Sequence, residues 1–138
     1  MFEVERYHDI SCGHRVYGHE GKCRHLHGHN YRIHFTCQAE SLDSVGRVID
    51  FSDIKARLAM WVEDNWDHHF LIWHDDPDAA SLVNIDPTVV LVPFNPTAEN
   101  MAEHLVKVVA PQQLAGTGIV LTRCKIEETA KCSATFAI

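Results

Sequence analysis

Six of the eleven histidines of this chain, His14, His19, His25, His27, His29 and His34, fall within 21 positions. Imidazole both titrates near neutrality and ligates transition metals, so a cluster of this density points to a metal centre or to proton transfer. His27 and His29 stand two apart, just ahead of a sharply alternating run. In an extended chain such residues project from one face, roughly 6.6 Å apart at the backbone, and both can converge on one ion. They continue the parity of the apolar residues Tyr31, Ile33 and Phe35, which suits a shielded site, and Gly28 between them puts no side chain on the other face. A third ligand has to come from elsewhere, and His14 is the best placed, because His19 and His25 lie in the connecting segment itself. Three neutral imidazoles leave one tetrahedral position open, as catalytic zinc requires. A bare HxH pair reads more readily as two surface histidines, and the rest of the segment has to shift that balance.

The elements that must position these residues follow from periodicity. Residues 29 to 39 alternate, with Tyr31, Ile33, Phe35 and Cys37 on one side and Arg32, His34, Thr36 and Gln38 on the other, which predicts a strand with one buried face. Phe2 and Val4 begin a similar alternation, so the polar span 13 to 25 joins two strands as a long hairpin excursion that carries histidines. From Ser52, taken as N-cap, Ile54, Leu58, Trp61 and Val62 recur at helical spacing. A second helix opens at Thr97, with Met101, Leu105, Val108 and Val109, and is expected to stop at Pro111. Between them, Pro77 to Asn95 holds turn residues and one β-branched run, Thr88 to Val92. Ile119 to Ile126 and Ser133 to Ile138 read as two closing strands. The order β-β-α-α-β-β predicts an α+β fold, a four-stranded antiparallel sheet with two helices on one face. Its open edges favour closure by oligomerisation.

Composition narrows the function classes. A length of 138 residues fits one domain spanning 1–138, and 46% hydrophobic with 22% charged residues predicts a folded globular chain. A formal charge of −7 offers no basic stripe for a phosphate backbone, so a nucleic-acid partner is not expected, nor is an anionic membrane. No apolar run reaches the roughly 20 residues of a membrane-spanning helix, and the N-terminus lacks the plan of a signal peptide, so a soluble cytoplasmic protein is expected. Five cysteines without a CxxC pair predict mostly reduced thiols. Of these, Cys12, Cys37, Cys124 and Cys132 read as core residues.

The run Cys23-Arg24-His25-Leu26-His27-Gly28-His29-Asn30-Tyr31, preceded by Gly13-His14-Arg15, resembles the 6-pyruvoyltetrahydropterin synthase and 6-carboxytetrahydropterin synthase family. Ile49-Asp50-Phe51, Asp67-His68-His69, Pro96-Thr97-Ala98-Glu99-Asn100 and Glu127-Glu128-Thr129 match its later motifs in order, so the likeness spans nearly the whole chain. The stretch from Ile72 to Asn95 is longer than in the shortest members.

The resemblance implies the T-fold, and a homohexamer built as a dimer of trimers with active sites between subunits. It implies zinc held by His14, His27 and His29, and Cys23 as the residue that moves protons on the substrate's side chain. Asp67 and His68 would activate or relay for Cys23. Glu128 would hold the guanidine-like edge of a pterin, and Thr97 would contact substrate. The implied substrate is 7,8-dihydroneopterin triphosphate. The brevity of the chain, the single cysteine of CxxxHxH and the LHGHNY run favour the 6-carboxytetrahydropterin synthase of the queuosine (7-deazaguanine) route, which releases acetaldehyde and triphosphate. The 6-pyruvoyl enzyme of tetrahydrobiopterin synthesis shares the motifs.

The chemistry asks for the same residue types. A proton must leave a carbon next to a hydroxyl or carbonyl. Zinc on that oxygen makes the proton more acidic, and a thiol with lowered pKa can take it. Each residue also has a plainer reading. Cys23 alone reads as a buried inert thiol, Asp67-His68 as a helix-end interaction and Glu128 as a solvated edge charge. Arg15, Lys22 and Arg24 are the nearest cations for a triphosphate, though surface solubility explains them too. His74, Asp75, Asp76 and Asp78 read as a solvated loop before a second metal site. A non-catalytic zinc-binding protein would need the histidines but not Cys23, Asp67 or Glu128.

Overall fold

The computed structural model describes residues 1–138. Two long strands, β1 (Phe2–His14) and β2 (His27–Ala39), pair antiparallel without a slip from Phe2 opposite Ala39 to His14 opposite His27. Unbroken register keeps one parity of each strand on one face. Ile10, Cys12 and His14 of β1 and Tyr31, Ile33, Phe35 and Cys37 of β2 are therefore buried together, while Asp9 and Arg32 face outward and pair with each other.

The first helix, α1, covers residues 51–65 and passes through a π-helical stretch at Lys55–Ala59. Its N-cap is Asp50, whose carboxylate accepts the Ser52 N–H, and not Ser52 as the periodicity suggested. The other long helix, α3, covers residues 98–113 and has a π-helical stretch at Leu105–Val109. It runs through Pro111 instead of stopping there. The wide turn just before Pro111 already disrupts the i→i−4 ladder, so a residue without an N–H is tolerated. Ile54, Leu58 and Val62 of α1 and Met101, Leu105 and Val109 of α3 lie in the same core cluster as the inner face of the sheet.

The expected four-stranded sheet has six strands, ordered β4-β3-β1-β2-β5-β6. The additions are β3 (Phe70–Trp73) and β4 (Val90–Val92), which continue the β1 edge in parallel, with a short helix α2 (Ala79–Ile85) between them. In β3 the neighbours Leu71 and Ile72 are both fully buried, so the segment has no alternation to reveal it. β4 falls within the β-branched run Thr88 to Val92. Strands β5 (Val120–Thr129) and β6 (Cys132–Ala137) close the other side.

A Cβ at Gly13 would sit 2.7 Å from Cζ of Phe70 where β3 docks on β1, so any side chain there would have to displace that ring. All five cysteines are free. Cys12, Cys37 and Cys124 are core residues, and burial pushes the Cys12 and Cys37 thiols up to about 12. Cys132 is exposed on the edge strand β6, contrary to its expected core place. No helix is long and apolar enough to cross a membrane.

Candidate functional site

The β1–β2 register builds the histidine cluster. His14 lies directly opposite His27, and Cys12 opposite His29, so the three imidazoles share one face at the end of the ladder. Their ligating nitrogens lie within 4.8 Å of one another. His14 is buried, and its Nδ1–H donates to the Pro96 carbonyl at 2.6 Å. His27 Nδ1–H donates to the His25 carbonyl at 2.7 Å. With Nδ1 protonated in both rings, the Nε2 atoms of His14 and His27 present lone pairs to each other across 3.1 Å. Nε2 of His29 is buried without a hydrogen-bond partner. Burial holds His14 and His29 below the ordinary histidine range, which favours the neutral form that ligates metal. Opposed lone pairs, an orphaned nitrogen and backbone acceptors fixing the tautomers fit a cation bound at Nε2 of all three.

Glu128 stands at this cluster, with Oε1 3.5 Å from Nε2 of both His14 and His29. That distance is too long for a strong hydrogen bond, and it puts the carboxylate beside the triad rather than on a solvated edge. Tyr31 is the functional neighbour that sequence reasoning missed. Its buried hydroxyl lies 3.2 Å from His14 Nε2, and its ring meets those of His14 and His29 edge-on. A tyrosine on an otherwise apolar strand face, whose hydroxyl needs a partner, was the available signal. Burial, then the charges of Glu128, Cys12 and Cys23, push its phenol far above the usual range.

Cys23 sits half-buried on a single helical turn, Lys22–Arg24, in the loop between the two long strands. Its carbonyl accepts the Val16 N–H at 2.8 Å. Asp67 and His68 form a dyad just beyond α1. Asp67 Oδ1 accepts the Ser11 N–H at 2.8 Å, and Oδ2 accepts His68 Nδ1–H at 2.8 Å. Burial opposes ionisation of Asp67, but these two donors outweigh it and hold the carboxyl below its ordinary value. His68 has φ of 60°, a left-handed conformation held by its N–H to the Ser11 carbonyl, and its ring is largely exposed. The dyad lines a cleft of about 690 Å³ with Asp9, Ser11, Arg32 and Glu127, residues of the outer sheet face. Neither Asp67 nor His68 hydrogen-bonds to Cys23 or the triad, although His68 and His29 line one cavity of about 380 Å³.

Thr97 caps α3, its hydroxyl accepting the Asn100 N–H at 3.1 Å. Arg15 is committed to Asp76 and Asp78 and is not a free cation for phosphate. Lys22 and Arg24 remain exposed. Asp76 is thus a buried ion-pair partner, and His74 pairs with Asp75 on the surface.

The family model for 6-pyruvoyl tetrahydropterin synthase matches residues 3–137. The 6-carboxy-5,6,7,8-tetrahydropterin synthases of Rickettsia felis and Rickettsia typhi are 33% and 34% identical over 134 residues, 96% of this chain and 97% of each relative. Among solved structures, an uncharacterized protein of Wolinella succinogenes aligns with a TM-score of 0.85 at 21% identity, covering 99% of this chain and 97% of that one. The 6-pyruvoyl tetrahydropterin synthase of Caenorhabditis elegans aligns at 0.70 with 23% identity, covering 99% and 95%. These structural likenesses show the shared fold. The family model spans nearly every residue and relatives of matching length align end to end, so the chain belongs to the 6-pyruvoyl tetrahydropterin synthase family.

Proposed function

We propose that the chain is a zinc-dependent lyase that converts 7,8-dihydroneopterin triphosphate and one water to 6-carboxy-5,6,7,8-tetrahydropterin, acetaldehyde and triphosphate. The observation that carries this reading is the triad His14, His27 and His29, with Nε2 turned inward in a chain whose full-length relatives are 6-carboxytetrahydropterin synthases. Zinc held there would act as a Lewis acid on an oxygen of the substrate side chain. Cys23, on the loop beside the triad, takes and returns the proton at the neighbouring carbon. Asp67 fixes the tautomer of His68 through Nδ1, leaving Nε2 to relay that proton. Glu128 holds the pterin edge by a paired hydrogen bond from its place next to the triad. Thr97 contributes to substrate contact from the start of α3.

Within one copy no hydrogen bond links the dyad to Cys23, which leaves room for an active site completed by a second copy. We take the 1–138 domain to assemble as a cytoplasmic homohexamer, a dimer of trimers, with no nucleic-acid or membrane partner. Its sheet ends in two short strands, β4 and β6, that are open to pairing. The product belongs to the queuosine (7-deazaguanine) route in this reading. The 6-pyruvoyl reaction is the second reading, favoured by the match to the family model for 6-pyruvoyl tetrahydropterin synthase. Mass spectrometry of products formed from dihydroneopterin triphosphate separates them. Acetaldehyde with 6-carboxytetrahydropterin is expected, and a 6-pyruvoyl product without acetaldehyde would overturn the assignment.

A further inference from the structure

We infer that Asn95 is a positioning residue that holds the Cys23 loop in place, an inference that rests on the role proposed for Cys23. Residues 15–26 leave the sheet after His14 and return at His27. They have little apolar anchorage: Tyr17 and Leu26 are 46% and 48% exposed, and Lys22, Arg24 and His25 face solvent. Hydrogen bonds therefore hold this loop. Val16 N–H donates to the Cys23 carbonyl at 2.8 Å, so the backbone at Cys23 rides on that at Val16.

The next residue, Tyr17, has both backbone groups taken by the Asn95 side chain. Its N–H donates to Oδ1 at 3.2 Å, and Nδ2 donates to its carbonyl at 2.9 Å. Asn95 is itself fixed, because its carbonyl accepts the Thr97 N–H at 2.7 Å and Nδ2 of Asn100 at 2.9 Å. Pro96, one residue on, supplies the carbonyl that orients His14. One corner ahead of α3 thus sets both a metal-site imidazole and the loop bearing the thiol. A primary amide carries its donor and its acceptor on separate atoms at one end, so it can bracket both backbone groups of Tyr17 at once, which a carboxylate cannot. Arg15 adds a second fastening through Asp76 and Asp78, from the same stretch between β3 and α3.

The test uses zinc-loaded Asn95→Asp, isosteric but unable to donate to the Tyr17 carbonyl. Alkylation of each cysteine by iodoacetamide is followed by peptide mass spectrometry. Cys23 should react faster on the order of fivefold, the population change that loss of one hydrogen bond brings. Cys132 should react as in the parent protein, and Cys37 and Cys124 should stay protected. Zinc content should hold at the parent value, with kcat reduced and KM little changed. Amide exchange at Val16 should accelerate in parallel, giving a second readout. An unchanged Cys23 rate and unchanged Val16 exchange would overturn the inference. Equal acceleration at the buried Cys37 and Cys124 would also overturn it, since that reports general loosening. Neither alkylation nor exchange involves a pterin, so failure of turnover in the parent protein would refute the proposed activity without deciding the clamp.

Discussion

Nδ1–H of His14 donates to the carbonyl of Pro96 across 2.6 Å, joining the last residue of β1 to the residue that precedes the cap of α3. The bond is buried and fixes which nitrogen carries the proton. Nε2 is therefore left without one and points at His27. His27 repeats the device with the His25 carbonyl. Backbone acceptors thus hold two imidazoles with Nε2 unprotonated, which would lower the cost of ordering them around a cation.

His27→Ala and His29→Ala should each lose stoichiometric zinc while keeping the sheet, since both side chains lie at the end of the ladder. Metal analysis with circular dichroism checks this. Full zinc in both variants would show that the cation binds elsewhere.

Glu128→Gln should weaken zinc retention by about tenfold, the lower range for a group acting on metal ligands from beside them. The basis is Oε1 at 3.5 Å from Nε2 of both His14 and His29. Binding of a dihydropterin should weaken in the same variant. Chelator competition and fluorescence titration read the two effects separately.

Asp76 predicts an acid limit on stability. The hydrogen bond from Arg15 holds its buried carboxyl below the ordinary carboxylate value. A lowered folded-state pKa contributes stability that is present above the ordinary value of about 3.9 and lost as pH falls through the lower folded one. Urea midpoints should therefore be steady from this pair near neutrality and fall in the acid range, with a shallower fall in Asp76→Asn. Arg15→Ala removes the charged partner, leaves Asp76 with the Asp78 N–H as donor, and should cost about 1–3 kcal/mol.

Sedimentation velocity should show a six-copy particle rather than a 15.7 kDa species. A fully active monomer would remove the shared-site account.

The ladder that carries His27, His29 and Tyr31 was legible because a period of two persists over the strand, and the long helices because Ile54 to Val62 and Met101 to Val109 repeat at helical spacing. That His14 joins His27 and His29 was legible, but not its bond to Pro96, since nothing in local periodicity relates residues 82 apart. β3 escaped notice because burial on both faces erases alternation. Pro111 misled because the π-helical stretch that accommodates it has no marker in residue type. The roles of Arg15 and Asp76 looked like those of a free cation and a solvated acid. Only the fold puts them in contact.

The most direct test of the account is single-turnover kinetics of Cys23→Ala at saturating dihydroneopterin triphosphate, with zinc content verified. If Cys23 moves the proton, this variant should keep zinc and bind the pterin, yet lose turnover by roughly 10² to 10⁴-fold, as removal of a general acid or base does. Turnover near that of the parent protein would contradict the central claim.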